Sequence, residues 1–155
     1  MRGCPDPAHG GPGTGTTGPY RPSPPPTRAA AEGDKVNEET LTALARTYYS
    51  KVDAGDVDGL LDLFTADAVY RRPGYEPMRG RQSLNSFYRG ERVIAEGRHE
   101  VLSMTAESPR VAVTGTFSGV LKDGSRVRLA FADFFTAGAD GLFTHRETYF
   151  YAPLV

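Results

Sequence analysis

The sequence predicts an α+β domain in which three N-terminal helices pack on one face of a curved, mostly antiparallel sheet. Two observations support this prediction. Between residues 37 and 92, apolar residues recur at intervals of three and four, which is typical of amphipathic helices. From His99 onward, segments rich in Val, Phe, Thr and Tyr alternate with turn signals, which is typical of strands. The folded part, roughly 115 residues, suffices for one hydrophobic core but not for a second domain.

Residues 1–35 are predicted to be a disordered tail, and residues 36–155 the folded domain. The tail contains 8 of the 12 prolines and 7 of the 18 glycines, with few large apolar side chains. Such a segment cannot bury enough apolar surface to offset the entropy lost on ordering. The prolines within residues 22–26 leave a second interpretation open, a polyproline recognition tract.

The composition excludes several classes of partner. The net charge of −1 gives no basic excess for nucleic acid, and no apolar run is long enough to span a membrane. The N-terminus lacks the apolar segment of a signal peptide, and the single cysteine, Cys4, cannot form an internal disulfide. We therefore expect a cytoplasmic protein that binds neither nucleic acid nor membranes.

Capping residues and apolar spacing predict the three helices. The first begins after Asn37 and ends at Gly55, and the second begins after Asp56. A short strand at Ala68–Arg71 precedes the third helix, which spans about Arg81–Arg92. The buried faces are predicted to be Leu41, Leu44, Ala45, Tyr48 and Val52, then Leu60, Leu61, Leu63 and Phe64, and then Leu84, Phe87 and Tyr88.

Four further strands are predicted at residues 99–106, 110–121, 125–136 and 142–151. They are separated by Glu107-Ser108-Pro109, by Lys122-Asp123-Gly124 and by the Gly138–Gly141 segment. The last two separators are predicted to be hairpin turns.

Asp133 is the most informative polar residue in these strands. Strand alternation places it on the same face as Phe131 and Phe135, where its carboxylate should be desolvated. Carboxylates in such surroundings are enriched at functional sites. The hairpin places residue 145 or 146 opposite Asp133. Arg146 there would form an inward ion pair, His145 would form an acid–base dyad, and a shift of one residue exchanges the two.

A basic cluster of Arg71, Arg72, Arg79 and Arg81 surrounds the end of the short strand. These charges are either solvated or positioned to bind an anionic substrate. The sequence contains no glycine-rich phosphate loop and no nucleophile elbow, and its three histidines are scattered. We therefore expect no nucleotide, flavin or metal cofactor.

Several segments together resemble the ketosteroid isomerases. In order, they are Val52–Asp56, Phe64–Tyr70, Arg72-Pro73-Gly74, Gly80-Arg81 and Phe87-Tyr88. More broadly, the chain resembles the nuclear transport factor 2-like superfamily, which includes SnoaL-like polyketide cyclases. The resemblance covers about residues 37–151. It implies a cone-like, mixed sheet that encloses a pocket together with the helices.

The resemblance also implies roles for individual residues. Tyr48 matches the tyrosine that donates to the substrate oxyanion, Asp133 matches the protonated aspartic acid that donates beside it, and Tyr88 matches a supporting tyrosine. The position of the usual aspartate base holds Arg72, which cannot remove a proton at neutral pH. Deprotonation would then fall to Asp133, or to His145 if that side chain faces inward.

These features lead to three hypotheses. The first is a cofactor-independent enzyme of the cyclase or isomerase type that acts on a hydrophobic, carbonyl-containing, polyketide-like molecule, with epoxide hydrolysis or dehydration by an Asp–Arg pair as a variant. The second is a module that binds such a ligand without chemistry. The third is an interaction domain that forms homodimers through the outer sheet face. The expected substrate contacts are Arg72, Arg146, Phe64, Tyr70, Phe131 and Phe150.

Overall fold

The structure, a computed structural model, describes residues 36–151 of the 155-residue chain. The predicted tail, residues 1–35, and the last four residues of the predicted domain lie outside the described residues. None of the helices between residues 36 and 151 has the length and hydrophobicity required to cross a bilayer.

The first two helices begin at the predicted caps. Helix α1 spans Glu38–Asp53, and the Asn37 side chain accepts a hydrogen bond from the Thr40 amide at 2.7 Å. Helix α2 spans Val57–Leu61, and the Asp56 side chain accepts from the Gly59 amide at 2.9 Å. Gly55 between them has φ of 69°, a left-handed conformation that glycine adopts without steric cost. The sequence pattern therefore identified both helix starts correctly.

Two local predictions between residues 62 and 92 are wrong. Strand β1 spans Phe64–Arg71, so Phe64 belongs to this strand rather than to α2. The reason is tertiary, because the Phe143 amide donates to the Leu63 carbonyl and Phe64 pairs with Phe143. After β2 (Met78–Arg79), the predicted third helix divides into α3 (Gly80–Ser86) and a π-helical turn (Phe87–Glu91).

Four long strands complete the sheet: β3 (Ile94–Glu107), β4 (Arg110–Leu121), β5 (Arg126–Ala137) and β6 (Phe143–Tyr151). The strand order is β2-β1-β6-β5-β4-β3, and every neighbouring pair is antiparallel except β1 with β6. Strand β3 begins five residues before the predicted start at His99, because Ile94 to Arg98 pair with the end of β4. The α+β class and the curved, mostly antiparallel sheet are confirmed.

Two β-bulges decide which side chains face inward. Between β3 and β4, Val101 pairs with Gly115 and Ser103 pairs with Thr114, which leaves Leu102 without a cross-strand partner. Between β5 and β6, Thr136 pairs with His145 and Ala137 pairs with Phe143. An unpaired residue changes the face of every residue beyond it in the strand.

The inner face of the sheet forms the core with the helices. Its centre is aromatic: the rings of Phe135 and Phe143 are 4.5 Å apart, and Tyr48 of α1 lies 5.3 Å from Phe135. On the outer face, Phe134 is 49% exposed and touches Tyr149 edge-on at 5.8 Å. Two adjacent phenylalanines therefore lie on opposite faces of β5.

This contrast allows a matched test of the face assignment. Phe135→Ala should lower the free energy of unfolding by about 3–5 kcal/mol, because it removes a fully buried ring and leaves a cavity. Phe134→Ala removes the same atoms from the outer face and should cost about 1 kcal/mol or less. Urea unfolding monitored by circular dichroism measures both, and equal losses would contradict the assignment.

Candidate functional site

A buried ion pair lies at the centre of the inner face. The Asp133 and Arg146 side chains are 1% and 5% exposed, and Arg146 Nη2 donates to Asp133 Oδ2 at 2.9 Å. The Tyr49 hydroxyl donates to the same oxygen at 2.6 Å, and the Thr148 hydroxyl donates to Oδ1. Asp133 therefore accepts three hydrogen bonds and donates none.

The resemblance implied a protonated Asp133 that donates to the substrate, and that role stays a prediction. A protonated aspartic acid would present an O–H group to the substrate, but here both carboxylate oxygens already accept from donors. Removing a substrate proton would require loss of these contacts. In this structure the Asp133 carboxylate connects Arg146, Tyr49 and Thr148.

The register of β6 also differs from prediction. Thr148 lies opposite Asp133, and Arg146 reaches the carboxylate diagonally from its place opposite Phe135. The inward Asp–Arg pair is therefore present, although neither residue 145 nor residue 146 faces Asp133 directly. His145 is exposed on the outer face, where it cannot serve the site.

Arg146 connects the ion pair to two tyrosines. Its guanidinium carbon lies 4.3 Å from the ring centroids of both Tyr48 and Tyr70, so aromatic faces enclose the charge. Its Nη1 donates to the hydroxyls of Tyr48 and of Tyr88, the latter at 2.9 Å. Arg146 thereby positions both phenol oxygens.

The hydroxyls of Tyr48 and Tyr88 form a hydrogen bond with each other. Their oxygens are 2.7 Å apart, so one hydroxyl donates to the other and a single proton remains available. Tyr48 is 1% exposed, whereas Tyr88 is half-buried and borders a large cleft. Burial raises the pKa of Tyr88 to about 12 and that of Tyr48 well above its ordinary value, so both phenols stay protonated. Of the two tyrosines, Tyr88 contributes to the cleft wall and Tyr48 does not.

A histidine–aspartate pair forms a second part of the site, and the sequence reasoning missed it. His99 Nδ1 lies 2.6 Å from Asp53 Oδ1, and the His99 amide donates to Asp53 Oδ2 at 2.9 Å. The imidazole packs 4.8 Å from the Phe117 ring. Burial lowers the pKa of His99 against the opposing effect of Asp53, which favours the neutral ring. Because Asp53 accepts from Nδ1–H, Nε2 carries the lone pair, and no residue between 36 and 151 donates to it.

The bulge at Leu102 explains why His99 was missed. Without it, continuous pairing from the turn at residues 108–109 would set His99 opposite Ser118, on the outer face. With it, His99 pairs with Phe117, an inner-face residue. The one available signal was an aspartate at the end of the first predicted helix, and the sequence alone did not link it to His99.

The two parts of the site share a small internal cavity of about 30 Å³. Its wall includes His99, Asp133 and Arg146, together with three predicted contacts: Arg72, Phe131 and Phe150. A separate cleft of about 660 Å³ shares Ile94 with it, and strands β3 and β4 contribute to the walls of both. The Phe117 ring borders the cavity, and it lies against Gly119 of the cleft wall, where an added Cβ would come within 2.6 Å of the ring.

The remaining predicted residues lie outside the cavity wall. Phe64 is fully buried against Tyr48 and Phe143, so it is a core residue rather than a substrate contact. Tyr70 is 1% exposed, and its hydroxyl is 3.1 Å from that of Thr148. Within residues 36–151, no three His, Cys, Asp or Glu side chains are grouped to hold a metal ion.

Comparison with known families identifies the fold family. The model of the SnoaL-like domain matches residues 45–146, more than half of the chain. The chain belongs to the SnoaL-like domain family. This match confirms the resemblance noted in the sequence. The fold of this SnoaL-like domain is that of the nuclear transport factor 2-like proteins.

Solved structures that are similar to this SnoaL-like domain are named for different activities. A candidate polyketide cyclase from Xanthomonas campestris pv. campestris is 22% identical with a TM-score of 0.68, covering 75% of this chain and 93% of its own. The epoxide hydrolase/cyclase-like enzyme SalBIII, with a role in pyran ring formation in the polyether salinomycin, is 22% identical with a TM-score of 0.67, covering 74% and 93%. A candidate ketosteroid isomerase from Kribbella flavida DSM 17836 is 23% identical with a TM-score of 0.63, covering 76% and 82%. At these identities the likeness establishes the fold alone.

The buried ion pair should contribute strongly to stability. Asp133→Ala leaves Arg146 buried without its counter-charge and should lower the free energy of unfolding by about 3–5 kcal/mol. Asp58→Ala breaks the exposed pair with Arg89 and should leave that free energy nearly unchanged. Urea unfolding at pH 7 compares the two variants, and a small loss for Asp133→Ala would contradict the role assigned to the pair.

His99 should titrate below its ordinary pKa of 6.5. As the pH falls through 6.5, the unfolded chain gains a proton that the folded protein does not, so the free energy of unfolding should decrease. Asp53→Asn removes the carboxylate that raises this pKa and should lower it further. The imidazole resonances in an NMR pH titration measure both effects.

Asp56→Asn provides the control for that titration, because Asp56 is bonded to Lys51 and Gly59 and not to His99. It should leave the pKa of His99 unchanged. A His99 pKa above 6.5 in the unaltered protein would show that the ring is held as the cation.

Proposed function

We propose that this SnoaL-like domain is a cofactor-independent acid–base enzyme of the cyclase or isomerase type, with His99 as its general base. The observation that carries the proposal is the Asp53–His99 pair, whose imidazole lines the same cavity as Arg146. The named activities of structurally similar proteins, a candidate polyketide cyclase and a candidate ketosteroid isomerase among them, support this reaction class.

In the proposed reaction, His99 Nε2 removes a proton from the carbon next to a substrate carbonyl. Asp53 orients the ring through Nδ1 and stabilises the imidazolium that forms. The electron pair of the broken C–H bond becomes part of an enolate. Returning the proton to a different carbon gives an isomer. Alternatively, the enolate carbon attacks a second carbonyl and closes a ring, and the alkoxide formed from that carbonyl takes the proton from the His99 imidazolium.

The developing enolate oxygen needs donors held in place before the reaction. Arg146 lines the same cavity as His99 and can supply such a donor, because its Nε has no hydrogen-bond partner within residues 36–151, while its Nη1 donates to Tyr48 and Tyr88. The ion pair with Asp133 fixes Arg146, so the donors need little reorganisation during the reaction. Asp133 therefore supports the reaction indirectly instead of polarising the carbonyl itself.

The sizes of the two spaces suggest how a substrate would lie. A cavity of about 30 Å³ holds roughly two water molecules, so only a small reacting group would fit without movement of its walls. The remainder of a polyketide-like molecule would lie in the cleft of about 660 Å³, which Tyr88 borders. Ile94 contributes to the walls of both spaces.

A binding module remains the second candidate, and one observation favours it. Both oxygens of Asp133 are engaged, and the neighbouring cavity is small, so the inner face would be a stable wall for a ligand held in the cleft. The two candidates differ in whether His99 exchanges a proton with the ligand.

We also propose a homodimer through the outer sheet face. Phe134 and Tyr149 are 49% and 41% exposed on that face, and their rings touch. His145, first considered as a base, would then lie at or near the interface. Analytical ultracentrifugation of the full chain would give the dimer mass if this proposal holds, and the monomer mass at micromolar concentration would contradict it.

Proton exchange tests the enzymatic proposal without knowledge of the natural substrate. The full chain in D₂O should accelerate exchange of the α-protons in aromatic β-diketones or β-keto acids, followed by ¹H NMR. His99→Asn should reduce that rate by about 100-fold or more, because it removes the base. His145→Asn, the same substitution on the outer face, should leave the rate unchanged.

The exchange experiment also separates enzyme from binding module. Equal rates for His99→Asn and the unaltered chain would exclude His99 as the base. Binding of the same probes without exchange above background would favour the binding module.

A further inference from the structure

Arg72 occupies an unusual position for a cation. It follows β1 directly, is half-buried, and lines the cavity that His99 and Arg146 also line. Its guanidinium carbon lies 4.7 Å from the ring centroid of Phe150 and 5.7 Å from that of Phe87. The charged group is thus held against aromatic faces at the cavity wall.

Arg72 also has no counter-charge within residues 36–151. By contrast, Arg81, Arg89 and Arg146 each form an ion pair with an aspartate. The single hydrogen bond that Arg72 makes to a described side chain is a long one, 3.4 Å from Nη1 to the Tyr70 hydroxyl, and its buried Nε has no partner. Partial burial of an unpaired cation is costly, and an anionic ligand would offset that cost.

The charges around the cavity support the same conclusion. Among the side chains that line the cavity, Asp133 is paired with Arg146, so the Arg72 guanidinium is the cation left without a partner in that wall. The cavity of about 30 Å³ has room for a small planar carboxylate, while a tetrahedral phosphate or sulfate is larger in every direction. A guanidinium can donate to both oxygens of a carboxylate.

We infer that Arg72 binds a carboxylate of the substrate, which makes the substrate a keto acid rather than a neutral ketone or ester. This inference rests on the proposed function, because it assumes that the carbon near His99 and the carboxylate near Arg72 belong to one molecule. Arg72, at the position where the resemblance implied a missing base, then selects the substrate and aligns its acidic carbon with His99.

Formate binding tests the inference independently of turnover. Formate is a carboxylate small enough for the cavity, and formamide is its neutral counterpart of nearly equal shape. In ¹H–¹⁵N NMR spectra of the full chain, formate should cause saturable shifts of the Arg72 and Arg146 side-chain signals, whereas formamide should cause none. Arg72→Gln should weaken formate binding by about 10-fold or more.

Two further variants control for charge and for folding. Arg126→Gln makes the same charge change at an exposed position and should bind formate as the unaltered chain does. Arg72→Lys keeps the positive charge and should bind more tightly than Arg72→Gln. Equal binding of formate and formamide, or full binding by Arg72→Gln, would overturn the inference.

The outcome for the inference is distinguishable from the outcome for the proposed function. His99→Asn should lose proton exchange, whereas formate binding is compared between the unaltered chain and Arg72→Gln, both of which keep His99. If proton exchange depends on His99 but not on Arg72, and formate does not bind, the inference is wrong while the proposed function stands. Formate binding without exchange would overturn the proposed function alone.

Discussion

The buried ion pair between Asp133 and Arg146 organises most of the inner face. Through it, β5 and β6 are bonded to Tyr49 of α1, and through Arg146 the hydroxyls of Tyr48 and Tyr88 are held together. Isolating two charges from water is unfavourable unless their remaining donors and acceptors are satisfied. Here three donors surround the carboxylate, and two aromatic rings enclose the guanidinium. Hydrogen bonds to this ion pair therefore hold the hydroxyls of Tyr48, Tyr49 and Tyr88 in position.

The same constraint separates support from chemistry within the site. Groups that are fully engaged, such as Asp133, can orient neighbours but cannot exchange protons without breaking several bonds. Groups with unused capacity include His99 at Nε2, Arg146 at Nε and the guanidinium of Arg72. They differ in kind, since one accepts a proton, one donates a hydrogen bond and one carries an unbalanced charge.

Family membership defines the framework but not the reaction. The similar structures are named as cyclase, epoxide hydrolase/cyclase-like enzyme and isomerase candidates, so one fold holds several chemistries. Arg72 lies at the position where the resemblance implied the base of the ketosteroid isomerases. The base proposed above, His99, comes from the opposite end of the sheet, on β3, with its aspartate at the end of α1. Such a change of base would leave the fold unchanged, because Arg72 and His99 border one cavity.

The sequence by itself determined the fold class, both helix caps, the strand alternation and the inward position of Asp133, because each depends on short-range periodicity and capping chemistry. It did not determine the register beyond a bulge. The unpaired position between β5 and β6 turned Arg146 inward and His145 outward, and the one at Leu102 turned His99 inward. The location of a bulge depends on pairing between strands that are distant in sequence, and no local hydrophobic pattern records it. Only the tertiary structure could therefore bring His99 and Asp53 together.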